Sequence, residues 1–434
     1  MKQIGVGMLG FGTVGAGVVA GLLKNRELMA QRLGVDIVLR KVADLDIESD
    51  RGIEIDPSLL TTDAASVISD PEIQVIVELV GGTGIAKTFV LQAFEAGKSV
   101  VTANKKMLAE YGDEIFGAAK RNGVDIYFGA SVGGGIPIVR ILREGLAGNE
   151  ITNMHGILNG TCNYILTRME NEGLPFEEVL ADAQAAGYAE AEPSLDVDGF
   201  DTAHKAAILA SLAYGFHVPL DGMLVEGIRN LSGSDVQYAA EFGYRIKLLA
   251  VITRTANEVE VRVHPTLVPL DHMLASVNDV FNAVMVKGDL SDNTLYYGRG
   301  AGREPTASTV IGDIGDIAKN VLSGCARHER GINIANDGKL IMRDSDKIIS
   351  RYYLRLMVAD KAGSLGIMTN ILGRYGVSIL GANQKVHGCD NISDDYVPVV
   401  MLTHEANEAD MNKALKEIYD AGVVCEEPVK LRII

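Results

Sequence analysis

Cysteine is scarce in this chain of 434 residues: four only, Cys162, Cys325, Cys389 and Cys425, with no CxxC pair among them. A disulfide framework is thereby excluded, and a reduced, cytoplasmic compartment is the simplest expectation. Basic charge is also short. Forty lysines and arginines stand against 57 acidic residues, a net charge of −17, which speaks against nucleic acid as a partner. No uncharged apolar run approaches the roughly 20 residues that span a bilayer, so no membrane partner is expected. The first residues read straight into a strand, without a basic segment and cleavable apolar stretch. The eight histidines show no metal-ligand spacing. Tryptophan is absent, which decides nothing.

What remains is an ordinary globular composition, 47% hydrophobic and 22% charged, with length for two or three domains. The apolar run Ile4–Leu9 leads into GFGTVG, where Gly10, Gly12 and Gly15 match GxGxxG. The first glycine permits a tight turn, the second lets backbone approach a pyrophosphate, and the third lets helix pack on strand. The helix expected from Val14 to about Leu33 would then turn its free N–H groups toward phosphates. A purely structural glycine turn is the alternative. Phe11, Thr13 and Val14 complete the candidate loop. Asp44 ends the next strand, Ile37–Ala43, where a carboxylate takes a ribose 2′-hydroxyl and repels a 2′-phosphate. That favours NAD over NADP, against a reading of Asp44 and Asp46 as solvated turn residues, and Lys105 could still serve a phosphate.

Further β-α units end at Val75–Val80, Ser99–Thr102 and Tyr127–Ser131. Lys105 lies just past a strand's carboxyl end, where ligands of open α/β sheets sit; Lys106 reads as solvated. Glu78, inside an apolar strand, reads as a capped structural carboxylate. VGGGIP, from Val132 to Pro137, marks a sharp backbone feature. HGILNGTCNYIL, from His155 to Leu166, reads as a strand running into a helix capped by Thr161, with Cys162 a small buried residue.

The densest stretch is GYAEAEPSLDVDGFDTAHK, from Gly187 to Lys205. Glu190, Glu192, Asp196 and Asp198 stand in a Gly- and Pro-containing loop. Asp201 and Lys205 then share a helical face at i, i+4. A surface ion pair with a solvated acidic loop is the bland reading. Against it, the helix continues as AAILASL, so this end meets a core. Together with the glycine loop, the pattern suggests a grip for an ammonium group and a lysine that moves a proton. A non-catalytic NAD-linked sensor is the rival from another class, and another amino-acid or amino-aldehyde dehydrogenase the rival within it.

From about Arg351 the tail reads as strand, helix, two strands, helix, strand: Tyr353–Ala359, a helix from Ser364 through Arg374, Val377–Leu380 with Gln384–Val386, Tyr396–Leu402, Asn407–Tyr419 and Val423–Val429. That is a ferredoxin-like order, with Pro398 marking an edge or irregular strand.

GFGTVG, TANKK, VGGGIPI, GILNGTCNYIL, GYAEAEPSLDVDGFDTAHK and YGRGAG, in that order, resemble homoserine dehydrogenase across essentially the whole chain. The resemblance implies reversible, NAD(P)-dependent interconversion of L-homoserine and L-aspartate 4-semialdehyde, toward threonine, methionine and isoleucine. It assigns Lys205 as acid/base, and Glu190, Asp196 and Asp201 to the substrate. Lys105, Gly187 and Gly302 join the glycine loop and Asp44 on the cofactor side. Val132, Gly134 and Ile136 match backbone carbonyl ligands of a sodium ion. The family commonly has glutamate where Gly129 stands, which allows a weaker or altered cation site. DKAGSLGIMTNIL resembles an ACT domain, which implies feedback control by an amino acid such as L-threonine. The expected architecture is α/β: a Rossmann-like nucleotide-binding domain at 1–137 plus about 303–330, an α+β catalytic and dimerisation domain at 138–302, and a ferredoxin-like ACT domain at 351–434. A homodimer or homotetramer is the expected assembly.

Overall fold

Six short parallel strands carry the nucleotide half: β1 (Gln3–Leu9), β2 (Asp36–Ala43), β3 (Leu60–Thr61), β4 (Val75–Glu78), β5 (Ser99–Thr102) and β6 (Ile126–Tyr127). Their order is β3-β2-β1-β4-β5-β6, that of the doubly wound dinucleotide fold. In β1 every residue after Gln3 is buried, as a parallel strand covered on both faces requires. Its side chains Ile4, Val6 and Met8 share one core with Val18, Val19, Ile314 and Ile317. The computed structural model describes residues 1–324, 340–384 and 395–434, so Cys325 and Cys389 lie outside the described residues.

The first helix departs from expectation. It breaks at Asn25 into α1 (Thr13–Lys24) and α2 (Arg26–Leu33). Helix Arg303–Leu322 returns to pack on α1. A Cβ on Gly17 would lie 2.8 Å from the Arg303 carbonyl oxygen, and one on Gly21 2.5 Å from Ile311. Small residues on α1 therefore let the two helices approach closely.

Two compact units divide the chain: Met1–Gly160 with Asp201–Asp221 and Val280–Leu340, and Thr161–Phe200 with Gly222–Asp279 and Ile341–Ile434. The segment 138–302 is thus shared between units, and the tail belongs to the second. The first unit also holds an antiparallel set, Ile151–Ile157, Phe281–Gly288 and Asp292–Arg299.

In the second unit Tyr244–Arg254 and Glu258–Pro269 pair antiparallel. The tail strand Val429–Ile433 runs beside the latter and pairs Ile349–Ala359 on its other side. Tail strands follow as Val429–Ile433, Ile349–Ala359, Tyr396–Thr403 and Ile379–Gln384, with neighbours antiparallel. Helices Ser364–Arg374 and Glu408–Asp420 complete the strand-helix alternation. The last strand starts at Val429 rather than Val423. Val424 makes only an isolated bridge to Val358, and Pro428, which has no N–H to donate, stands between. Strand Tyr396–Thr403 is internal, but Pro398 precedes Val399, the first of its residues paired with Ile379–Gln384. It therefore occupies a stretch paired on one side among the described residues. Of the strand expected at Gln384–Val386, only Gln384 is described.

Candidate functional site

The glycine loop is built as its spacing requires. Gly10 has φ +101°, and a Cβ there would lie 2.6 Å from the Leu79 backbone. A Cβ on Gly15 would meet the Gly10 carbonyl oxygen at 2.4 Å, whereas one on Gly12 would meet nothing within 4 Å. The open side at Gly12 is where backbone can receive a pyrophosphate. Buried Phe11 donates its N–H to Asp44 Oδ2 at 2.5 Å, and Asp44 Oδ1 accepts from the Asp46 N–H at 2.9 Å. Asp44 therefore ends β2 as expected and also ties that end to the loop. Exposed Thr13 and half-buried Val14 open α1. Glu78, fully buried, accepts from Val80 N–H, Gly81 N–H and the Thr102 hydroxyl, a loop cap as read from sequence. These residues fit a dinucleotide: the loop supplies donors, the open Gly12 supplies room, and Asp44 supplies an acceptor.

A polar cluster of the first unit centres on Asp201, which is 2% exposed. Helix Phe200–Tyr214 carries Asp201 and Lys205 one turn apart. Lys205 Nζ donates to Asp201 Oδ2 at 2.6 Å and to the Leu158 carbonyl at 2.7 Å. Lys105, the first residue of helix α3 (Lys105–Asn122), pairs with Asp201 Oδ1 at 2.7 Å. The Asn104 side chain caps α3 by accepting from the Met107 N–H, which fixes the turn that launches Lys105. Asn159 Nδ2 gives Asp201 Oδ2 a further hydrogen bond at 2.9 Å.

Burial alone would raise the Asp201 carboxyl, but the ammonium groups of Lys205 and Lys105 outweigh it and hold the group below the usual carboxylate range. Asp201 is thus held as an anion between the two lysines. Burial pushes the neighbouring His204 imidazole down from its ordinary value, with Asp201 pulling the other way. Lys106 reaches Glu110 only at 3.8 Å and is exposed, in keeping with a solvated role.

Sequence reasoning paired Asp201 with Lys205 and set Lys105 near the cofactor; the structure brings all three together. It missed the Leu158 carbonyl and Asn159. Their signal was the strand end directly before Gly160, whose carbonyl and side chain reach helix Phe200–Tyr214.

The second unit holds the acidic loop. Glu190 and Gly187 are exposed, and Gly187, at φ +75°, closes helix Phe176–Ala185 by donating its N–H to the Gln184 carbonyl. Asp196 is half-buried, and its carbonyl accepts from the buried Cys162 thiol at 3.2 Å. Asp198 is gripped by Arg229 at 2.9 and 3.1 Å, and Glu192 by Ser194. Those two carboxylates hold the loop's shape. Thr161 does not cap its helix, which starts at Gly160; its hydroxyl donates to the Tyr188 carbonyl at 2.7 Å.

Val132, Gly134 and Ile136 lie in a buried turn of the first unit. The Gly134 carbonyl accepts from Thr309 Oγ1 at 2.7 Å, and the Ile136 carbonyl from the Ile138 N–H at 2.8 Å. Each keeps a second lone pair, and such neutral oxygen donors suit a hard cation of low charge. Asp313 lies alongside, 6% exposed, accepting from the Gly129 N–H at 2.8 Å. Burial pushes its carboxyl up to about 7, against the pull of that N–H and of Arg143. A Cβ on Gly129 would stand 3.0 Å from both Asp313 oxygens, so the glycine makes room for this carboxylate. Among the described residues no three His, Cys, Asp or Glu side chains group as metal ligands. Gly302, exposed at φ +112°, stands at the N-terminus of helix Arg303–Leu322.

Known proteins resemble this chain over its full length. The family model described as homoserine dehydrogenase matches residues 137–314, and that of the homoserine dehydrogenase NAD-binding domain matches residues 10–129. Homoserine dehydrogenase of Neisseria gonorrhoeae is 44% identical, over 99% of this chain and 98% of that protein. The Bacillus subtilis protein of the same name is 39% identical over 100% and 99%. A crystal structure of a homoserine dehydrogenase from Thiobacillus denitrificans superposes with a TM-score of 0.93 at 40% identity, covering 100% of this chain and 99% of that one. A hyperthermophilic archaeal homoserine dehydrogenase, solved in complex with NADPH, covers 74% of this chain and 98% of that one, at 25% identity and a TM-score of 0.63. With a dinucleotide loop and a buried lysine-carboxylate centre in one unit, and relatives matched end to end, the chain belongs to the homoserine dehydrogenase family, NAD(P)-dependent oxidoreductases.

Proposed function

We propose that this enzyme interconverts L-homoserine and L-aspartate 4-semialdehyde with Lys205 as the acid/base, in the supply of threonine, methionine and isoleucine. The observation that carries the reading is the Asp201 carboxylate joined to both Lys205 and Lys105. Bound NAD(P) supplies or accepts the hydride. Lys205 as ammonium steadies the forming alkoxide and delivers its proton in reduction; as amine it removes the hydroxyl proton in oxidation. Asp201 keeps the lysine aimed. Glu190 takes the substrate ammonium, with Asp196 its companion in the acidic loop, so Glu190→Gln raises KM more than Lys205→Ala does. Val132, Gly134 and Ile136 would hold a sodium ion through their carbonyls, with Asp313 as nearby countercharge.

Residues 351–434 act as an ACT-type module that binds an amino acid, threonine first among candidates, and the enzyme works as a homodimer or homotetramer in the cytoplasm. Among the described residues no helix is long and apolar enough to cross a membrane.

Initial rates at 340 nm with L-homoserine and NAD or NADP, with and without L-threonine, test these assignments. A folded protein that binds NAD but turns over homoserine with neither cofactor would overturn the reaction; rates indifferent to threonine would remove that effector. Asp44 sets the cofactor ratio. Asp44→Ser should lower kcat/KM for NAD about tenfold, the worth of roughly one hydrogen bond to a charged group, and lower that for NADP less. Equal losses with both cofactors would mean that Asp44 serves only the Phe11 loop.

A further inference from the structure

We propose that Asn159 is a positioning residue for this reaction: its side-chain amide holds the Asp201 carboxylate in the orientation that keeps Lys205 aimed. The proposal rests on Lys205 as the acid/base.

Three consecutive residues form a clamp on the ion pair. The Leu158 carbonyl accepts from Lys205 Nζ at 2.7 Å, and Asn159 Nδ2 donates to Asp201 Oδ2 at 2.9 Å. Gly160 makes the close turn possible, because a Cβ there would stand 2.8 Å from the Val280 carbonyl oxygen. One member of the pair is thus held by backbone and the other by a side chain, both from one short junction at the end of strand Ile151–Ile157.

Counting acceptor positions shows what the amide does. A carboxylate offers about four lone-pair places, two on each oxygen. Oδ2 of Asp201 receives Lys205 and Asn159, and Oδ1 receives Lys105. Oδ2 is full, so the carboxylate cannot swing without losing a bond to Asn159. Water is a poor substitute, since Asn159 is 5% and Asp201 2% exposed. A neutral donor also suits the position: it steadies the anion without a third positive charge beside Lys105 and Lys205.

Replacement by aspartate distinguishes positioning from packing. Two carboxyls at this spacing resist double ionisation, so the pair holds one proton to higher pH than an isolated carboxyl would. The protonated acid can donate to Asp201 as the amide does; after the proton leaves, it repels. The other charged groups in range are His204 and Lys205 on the same helix and Lys105, Lys106 and Glu110 on α3, and all of these remain in the variant.

The experiment compares wild type, Asn159→Ala and Asn159→Asp as full chains. It records kcat and KM for L-homoserine across pH 6–10 (about the range where lysine chemistry is followed), a thermal melt, and labelling of Lys205 relative to Lys106 by an amine-reactive reagent read by mass spectrometry. Asn159→Ala should lose kcat about 10- to 100-fold with KM moving under about threefold, keep a cooperative melt, and label faster at Lys205. Asn159→Asp should lose rate with rising pH where the wild type gains it. Wild-type kcat with wild-type labelling in Asn159→Ala, or a wild-type-shaped profile in Asn159→Asp, would overturn the proposal. Should the wild type itself not turn over homoserine, the reaction assignment fails, and the labelling ratio alone still decides whether Asn159 holds the pair.

Discussion

Lys205→Ala should lower kcat for homoserine oxidation by roughly a hundred- to ten-thousandfold, the usual worth of a positioned general acid/base. The KM for homoserine should barely move, because Lys205 is spent on Asp201 and the Leu158 carbonyl and its gain is made in the transition state. The truncation leaves the Asp201–Lys105 pair at 2.7 Å in place, so the fold retains a charge partner at the centre. In the wild type, oxidation should rise toward alkaline pH, since the lysine must enter as the neutral amine; reduction should prefer near-neutral pH, where it enters as ammonium. Asp201 adds no limb in that range: held below the usual carboxylate values, it is ionised throughout. Steady-state kinetics in both directions checks this. Profiles with the two directions exchanged, or an alanine variant that fails only in KM, would remove Lys205 from its role.

How much of this was legible depended on whether the signal was local. The roles of Gly10 and Gly15 follow from contacts between segments joined by a few residues or by strand pairing, and the spacing announced them. The Asp201–Lys205 pair is set by helix geometry alone, so i, i+4 sufficed. Lys105 could be placed at a strand's carboxyl end but not on Asp201, because 96 positions of chain separate the two and only packing joins them. Asn159 was hidden for the same reason. The break at Asn25 escaped notice because an apolar pattern continues across it, and its buried positions Leu22 and Met29 serve one core from two helices. Tail strand boundaries slipped by several residues at Val429 because Val423 and Val424 are as β-prone as the residues that do pair. Asp313 had no sequence signal at all: an acid in an ordinary helix becomes a buried carboxylate only because Gly129, 184 residues earlier, leaves it room.

Asp201→Asn tests the centre from the other side and should cost about 3–5 kcal/mol of stability at neutral pH. The amide keeps the volume but removes the anion that compensates two lysines, and an uncompensated buried charge carries a penalty of that size. The loss should depend on pH with a definite sign. Asp201 has its folded value below its unfolded one, which is about 3.9. Between the two values the folded chain binds fewer protons than the unfolded chain, so this group's stabilisation grows with pH there. It is fully present above the unfolded value and fades as pH falls through it toward the folded one. The gap between wild type and Asp201→Asn should therefore be widest and flat from about pH 5 upward and close progressively below about pH 4. Lys105, with a side chain 35% exposed, can turn to water in the variant, whereas Lys205, at 10%, cannot. Most of the cost therefore falls on Lys205, and the double variant Asp201→Asn with Lys205→Met should recover a large part of it. Denaturant melts of the three proteins from pH 3.5 to 8 make the comparison. A gap that persists unchanged into acid, or a double variant no more stable than Asp201→Asn, would mean that the carboxylate contributes shape and not charge.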